Sequence, residues 1–118
     1  NYVDNRKQGI AVEYDNKGNT VNLLNYSKGE LISKLRFDRR IKLYESIEYK
    51  NGKLNGLSLT YYRNSKLSTK DIYLNGVILN ETLYYHYGKP SVVFLYKDGR
   101  MNEYFNFSRK GKLVKNKK

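Results

Sequence analysis

The side chains with chemistry to offer in this 118-residue chain are one histidine, eleven acids and a set of cations lying close to tyrosines. His86 sits between Tyr85 and Tyr87. A zinc centre draws on several His, Cys or carboxylate ligands, and a His-based triad needs a nucleophile and an orienting acid. One histidine and no cysteine signal neither. A packed or solvated imidazole is the simpler reading of His86. Glu45 and Glu48 stand three apart, which on a strand sends them to opposite faces. Asp71 and Glu81 flank one predicted hairpin and can approach across it. Paired carboxylates suit acid–base work, but the neighbouring lysines make cross-strand ion pairs the expected arrangement. No P-loop or dinucleotide fingerprint occurs. The expectation is a chain that is not an enzyme, with no cofactor and no metal.

The densest constellation is basic and aromatic. Lys34, Arg36, Arg39, Arg40 and Lys42 gather around one predicted hairpin, and Arg63, Lys66 and Lys70 lie near Tyr61 and Tyr62. The candidate binding set is Arg36, Arg39, Arg40, Lys42, Tyr62, Arg63, Tyr84 and His86. Arginine and tyrosine are favoured at protein interfaces. The same mixture neutralises phosphates and stacks on bases. The structural alternative is that the tyrosines pack between strands while the lysines stay solvated.

The formal net charge is +12. Arg109, Lys110, Lys112, Lys115, Lys117 and Lys118 supply +6 of it, leaving +6 for residues 1–108. Segment 109–118 therefore reads as a flexible basic tail, either solvated or docked on an anionic partner. The chain starts at Asn1, which suggests an exported protein trimmed of its leader, with an excised cytoplasmic domain as the alternative. The Asn-, Lys-, Tyr- and Ile-rich usage resembles coding by an AT-rich bacterial genome.

The elements that position these residues recur. Gly52 follows Tyr49 by three residues, Gly56 by seven, and Tyr61 and Tyr62 by twelve and thirteen. Tyr26, Tyr49, Tyr73 and Tyr96 are separated by 23, 24 and 23 residues, and each has a glycine three residues on. Such periodicity marks a repeat architecture. The units fall near 2–25, 26–48, 49–72, 73–95 and 96–113. Asn51-Gly52, Asn75-Gly76 and Asp98-Gly99 are strong hairpin signals, because a type I′ turn needs positive φ at both central residues. A second turn lies half a period later, at 15–19, 38–40, 63–66, 88–90 and 109–112. Leu31, Ser33, Leu35 and Phe37 alternate with Ile32, Lys34, Arg36 and Asp38 between turns, the period of a strand. Gly56 inside such a run predicts a bulge or close packing.

The predicted fold is all-β: an elongated, twisted antiparallel meander of about ten strands, built from tandem hairpin repeats. A closed barrel is the alternative, since it would remove the edges. With 39% hydrophobic residues and thirteen tyrosines against four phenylalanines, a deep core is not expected.

The pattern Tyr49-x-Asn51-Gly52-Lys53-x-x-Gly56-x-x-x-x-Tyr61-Tyr62-x-Asn64-x-Lys66-Leu67 resembles the MORN-type repeat, closest to its bacterial variant. The likeness extends through 73–89 and, more loosely, through 96–113. Ser65 stands where the pattern has a turn glycine, and Asn80 and Glu103 stand at the mid-unit glycine. The resemblance implies a string of β-hairpins serving as an interaction platform, with a protein partner and an antitoxin-like or inhibitor role. Its eukaryotic relatives imply membrane or lipid attachment; the +12 charge independently makes anionic lipid or nucleic acid the alternative partner. It offers no catalytic residues to carry over.

Overall fold

The structure, a computed structural model, describes residues 2–3, 6–38 and 42–117. Arg39 and Arg40 of the candidate set lie outside the described residues. Two short strands, β1 (Tyr2–Val3) and β2 (Arg6–Lys7), pair with each other. The remaining ten form one sheet in strict sequence order. They are β3 (Gly9–Tyr14), β4 (Thr20–Ser27), β5 (Glu30–Phe37), β6 (Leu43–Lys50) and β7 (Lys53–Tyr61), followed by β8 (Leu67–Leu74), β9 (Val77–Tyr84), β10 (Pro90–Lys97), β11 (Arg100–Phe107) and β12 (Leu113–Lys117). Every pairing is antiparallel. The sheet does not close: β3 and β12 are its two ends, so the barrel alternative is not formed.

Two kinds of turn alternate along the chain. Lys28, Asn51, Asn75 and Asp98 have φ between 50 and 53°, and the glycines that follow them lie between 77 and 84°. Both centres of each tight turn are thus left-handed, as the type I′ geometry demands. The other turns are wider. They close by a bond from the first residue's N–H to the fifth residue's carbonyl: Asp15 to Asn19, Asp38 to Lys42, Tyr62 to Lys66, Tyr85 to Lys89 and Ser108 to Lys112. Ser65 takes the left-handed place that Gly18, Gly88 and Gly111 occupy, at φ 70°. Its N–H still donates to the Tyr62 carbonyl at 2.9 Å, so the turn survives the missing glycine.

The bulges also recur without their glycine. In β7 the register slips beside Gly56, where a side chain would collide with the carboxylate of Glu48. That carboxylate accepts the Leu57 N–H at 2.7 Å. A smaller slip, of one residue where β7 shifts by two, occurs at the equivalent place in β5, β9 and β11, including the two units where Asn80 and Glu103 replace glycine.

The molecule measures 52 × 34 × 17 Å. Ten strands about 4.8 Å apart span roughly 43 Å, so the long axis is the direction of strand stacking. The 17 Å dimension is a single layer with side chains on both faces. Burial follows from that thinness. Among the described residues Ile47 and Thr82, each 8% exposed, are the most enclosed, and no large side chain is fully buried. The register puts them on opposite faces. One face carries the row Leu24, Lys34, Ile47, Ser58, Asp71, Glu81 and Phe94, each opposite the next. The other carries Leu23, Leu35, Ser46, Leu59, Lys70, Thr82 and Val93.

Of the segment expected as a tail, residues 109–117 belong to the sheet, and residue 118 lies outside the described residues. Residues 109–112 complete the last wide turn, and β12 pairs with β11 from Phe107↔Leu113 to Tyr104↔Lys117. Its backbone takes ladder bonds that a frayed end would leave to water.

Candidate interaction surface

All the wide turns fall along one long edge of the sheet, and all the Asn-Gly-type turns along the other. On the wide-turn edge, from Lys42 onward, each turn is tied to the next by side chains that donate to carbonyls about one period ahead. Position one of the turn supplies Tyr62, whose hydroxyl donates to the Tyr84 carbonyl at 2.5 Å, and Tyr85, which donates to Phe107 at 2.7 Å. Position three supplies Asn64, donating to the His86 carbonyl at 2.7 Å, and Tyr87, donating to that of Arg109. Position five supplies lysines. Lys42 donates to the Arg63 carbonyl at 3.1 Å, Lys66 to Tyr87 at 3.2 Å and Lys89 to Lys110 at 3.5 Å. The rings reinforce the ladder: Tyr85 stacks parallel on Tyr87 with centroids 5.5 Å apart, and His86 meets Tyr87 edge-on.

The structure therefore brings Lys42, Tyr62, Arg63 and His86 together on this edge, in structural and display roles. Lys42 and Tyr62 are rungs. Arg63 and His86 occupy position two of successive turns and are exposed. Tyr84 joins through its backbone carbonyl, and its half-buried side chain is not part of the edge. Arg36 lies on a face instead. It pairs across the strand with Glu45 (Nη1 to Oε1, 3.2 Å) and covers the Tyr44 ring at 5.6 Å.

Residues outside the original set prove equally placed: Lys66, Lys89, Arg109, Lys110 and Lys112 are all exposed on the same edge. A signal for them exists in the sequence. Lys42, Lys66, Lys89 and Lys112 recur at 24, 23 and 23 residues, the repeat period itself.

At the N-terminal end of the edge lies an open groove of 710 Å³, lined by Val21, Phe37, Tyr44, Lys17 and Arg63 with Asp15 and Asp38. The two aspartates act within their own turns. Asp15 Oδ1 accepts the N–H groups of Lys17 and Asn19, each at 2.9 Å, and Asp38 Oδ1 accepts that of Lys42 at 3.0 Å. These are Asx turns that stabilise the bend.

Asp71 and Glu81 do approach across their hairpin, but not as halves of ion pairs with lysine. They sit directly opposite on β8 and β9. The adjacent Lys70 is sent to the other face by strand alternation, opposite Leu59 and Thr82. Burial, then a hydrogen bond that the protonated Asp71 carboxyl donates to Glu81, and the charge of Glu81, push the Asp71 carboxyl up to about 7. Asp71 Oδ1 is buried without a hydrogen-bond partner. Burial, and then these carboxylates, also raise the phenols of Tyr73 and Tyr96 above the ordinary tyrosine value. No three His, Asp or Glu side chains converge to hold a metal ion among the described residues.

No protein-family model matches the chain, and no curated protein matches it. Among solved structures it is similar to part of the "GtfA/B complex bound to UDP and GlcNAc", at 14% identity and a TM-score of 0.43. That alignment covers 92% of this chain and 22% of the other, so the chain spans under a quarter of that neighbour's length.

Proposed function

We propose that the chain is a non-catalytic β-repeat interaction module of MORN type that binds a protein partner and acts by covering it, as an inhibitor or antitoxin-like component does. The observation that carries this reading is the wide-turn edge. Side-chain rungs fix successive turns to one another, so the turns that carry the exposed cations are held in place before any partner arrives. Such preorganisation lowers the ordering cost of association. An open single-layer sheet also offers long, regular borders in place of an enclosed pocket.

The test is reconstitution. A candidate protein identified by cross-linking to the folded chain is purified and titrated against it, with the β-sheet signature verified by circular dichroism. A saturable complex between the two pure components supports the reading. Failure of every cross-linked candidate to bind when purified overturns it.

A second reading has its own observation. From Tyr62 to Lys112 the wide turns carry Arg63, Lys66, Lys89, Arg109, Lys110 and Lys112 and no acid. Anionic lipid or nucleic acid fits that charge. Binding of this kind would weaken steeply as salt rises, whereas a complex with a large packed protein interface would lose less.

A further inference from the structure

We infer that the basic wide-turn edge is a track for an extended acidic polypeptide segment whose carboxylates recur at every third residue. This deepens the protein-partner reading and rests on it. Equivalent turns are two strands apart, so their cations repeat about every 10 Å along the edge. A polyproline II segment completes one turn in three residues at about 3.1 Å each, which places every third side chain on one face about 9.3 Å apart. Mutual repulsion among its carboxylates keeps such a segment extended. The two repeats therefore match in pitch, and the charges are opposite.

The cations are arranged to meet such a ligand. Arg63 and Arg109 present guanidinium groups at position two of their turns, and Lys66 and Lys89 present ammonium groups at position five. Lys66 and Lys89 each have an ammonium with three donors. One donor goes to the next turn's carbonyl, leaving others for a carboxylate. Position two of the middle turn is His86, a gap in the arginine row.

The alternatives fit less well. Single-stranded nucleic acid binding relies on aromatic faces open to bases. Here the hydroxyls of Tyr62, Tyr85 and Tyr87 are tied into the neighbouring turn, and two of the rings stack on each other. A membrane surface calls for apolar side chains beside the cations. Exposed aliphatics, Leu113 and Val114, follow only the last wide turn, while Leu74, Val77 and Met101 lie beside Asn-Gly-type turns on the opposite edge.

The experiment titrates the intact chain with fluorescent synthetic peptides: one with Glu at every third position in a Pro/Ala background, and one of the same composition with its Glu residues in pairs. A thymidine oligonucleotide and phosphatidylserine vesicles complete the panel. The spaced peptide is expected to bind about tenfold more tightly than the paired one. Arg63→Glu with Arg109→Glu removes that preference, and His86→Arg strengthens binding about threefold by filling the gap. The last variant is a gain of function that misfolding cannot produce. Equal affinity for both peptides, a preference for the oligonucleotide or vesicles, or indifference to His86→Arg and the double reversal overturns the inference. If a purified protein partner binds but ignores the double reversal, the track is wrong and the interaction-module reading stands. If no purified protein binds at all, that reading itself fails.

Discussion

The two long edges of the sheet are made from the same repeat and are built differently. On the Asn-Gly edge, backbone donors link one unit to the last: Asn75 N–H to Asn55 Oδ1 at 2.9 Å, Gly76 N–H to the Leu54 carbonyl at 2.7 Å, and Lys28 N–H to Gln8 Oε1 at 2.9 Å. On the wide-turn edge, side chains reach forward to backbone acceptors. Two-residue turns leave no room for such side chains, and their shape is set by left-handed backbone. Five-residue turns supply rungs from positions one, three and five and leave position two for display. Charge follows the same division. The Asn-Gly edge mixes Lys28, Lys50, Lys53, Lys97 and Arg100 with Glu30 and Asp98, and exposes Leu74, Val77 and Met101. The last three wide turns carry cations alone. The difference separates a border that holds the backbone from a border that displays side chains.

The comparison breaks first under charge reversal. Replacing Lys66 and Lys89 by Glu is expected to weaken binding of the spaced acidic peptide more than tenfold, about 1.4 kcal/mol or more. The same exchange at Lys53 and Lys97 is expected to change it by less than threefold, about 0.65 kcal/mol. Fluorescence anisotropy at one salt concentration checks both, and equal losses would erase the distinction between edges.

Next in size is the backbone itself. Gly76→Val forces a β-branched residue into φ 84° and is expected to cost about 1–2 kcal/mol in chemical denaturation. Removing a rung is milder. Tyr85→Phe deletes the bond to the Phe107 carbonyl and is expected to lower stability by about 0.5–1.5 kcal/mol, with weaker peptide binding alongside. Asn55→Ala, on the other edge, is expected to lower stability without touching binding. The smallest effect is Ser65→Gly. It relieves a left-handed serine at φ 70° and is expected to raise stability by under about 1 kcal/mol.

The faces give a separate, pH-dependent signature. Asp71 keeps its proton to about pH 7 when folded, against an unfolded value of 3.8. The folded state then binds more protons than the unfolded one between those values, so stability falls as pH rises from about 4 to 7. Thermal melts across that window are expected to show the decline in the parent chain, and a flatter profile in Asp71→Asn. A decline unchanged in the variant would locate the effect elsewhere.

Much of the scaffold was legible because turns are local. The tyrosine spacing placed the four tight turns, though not the separate β1–β2 hairpin, and Asn51-Gly52, Asn75-Gly76 and Asp98-Gly99 reported their own backbone angles. Ser65 and the bulges beside Asn80 and Glu103 show the limit of reading glycine as a requirement: neighbouring pairings hold the geometry when the favoured residue is missing. β12 was hidden because a short, lysine-rich run has no apolar alternation to announce a strand. The candidate surface was half legible. Lys42, Tyr62, Arg63 and His86 were found from composition, but their bonds reach carbonyls about a period away, which no local pattern encodes. Asp71 and Glu81 were correctly placed within reach, yet the choice of partner depended on which face Lys70 took.

The most direct test of the edge assignment is backbone amide NMR during titration with the spaced acidic peptide. Saturable shift changes should concentrate in residues 62–66, 85–89 and 108–112, leaving 51–52, 75–76 and 98–99 unmoved. Changes centred on the Asn-Gly turns, or spread over a face of the sheet, would contradict it.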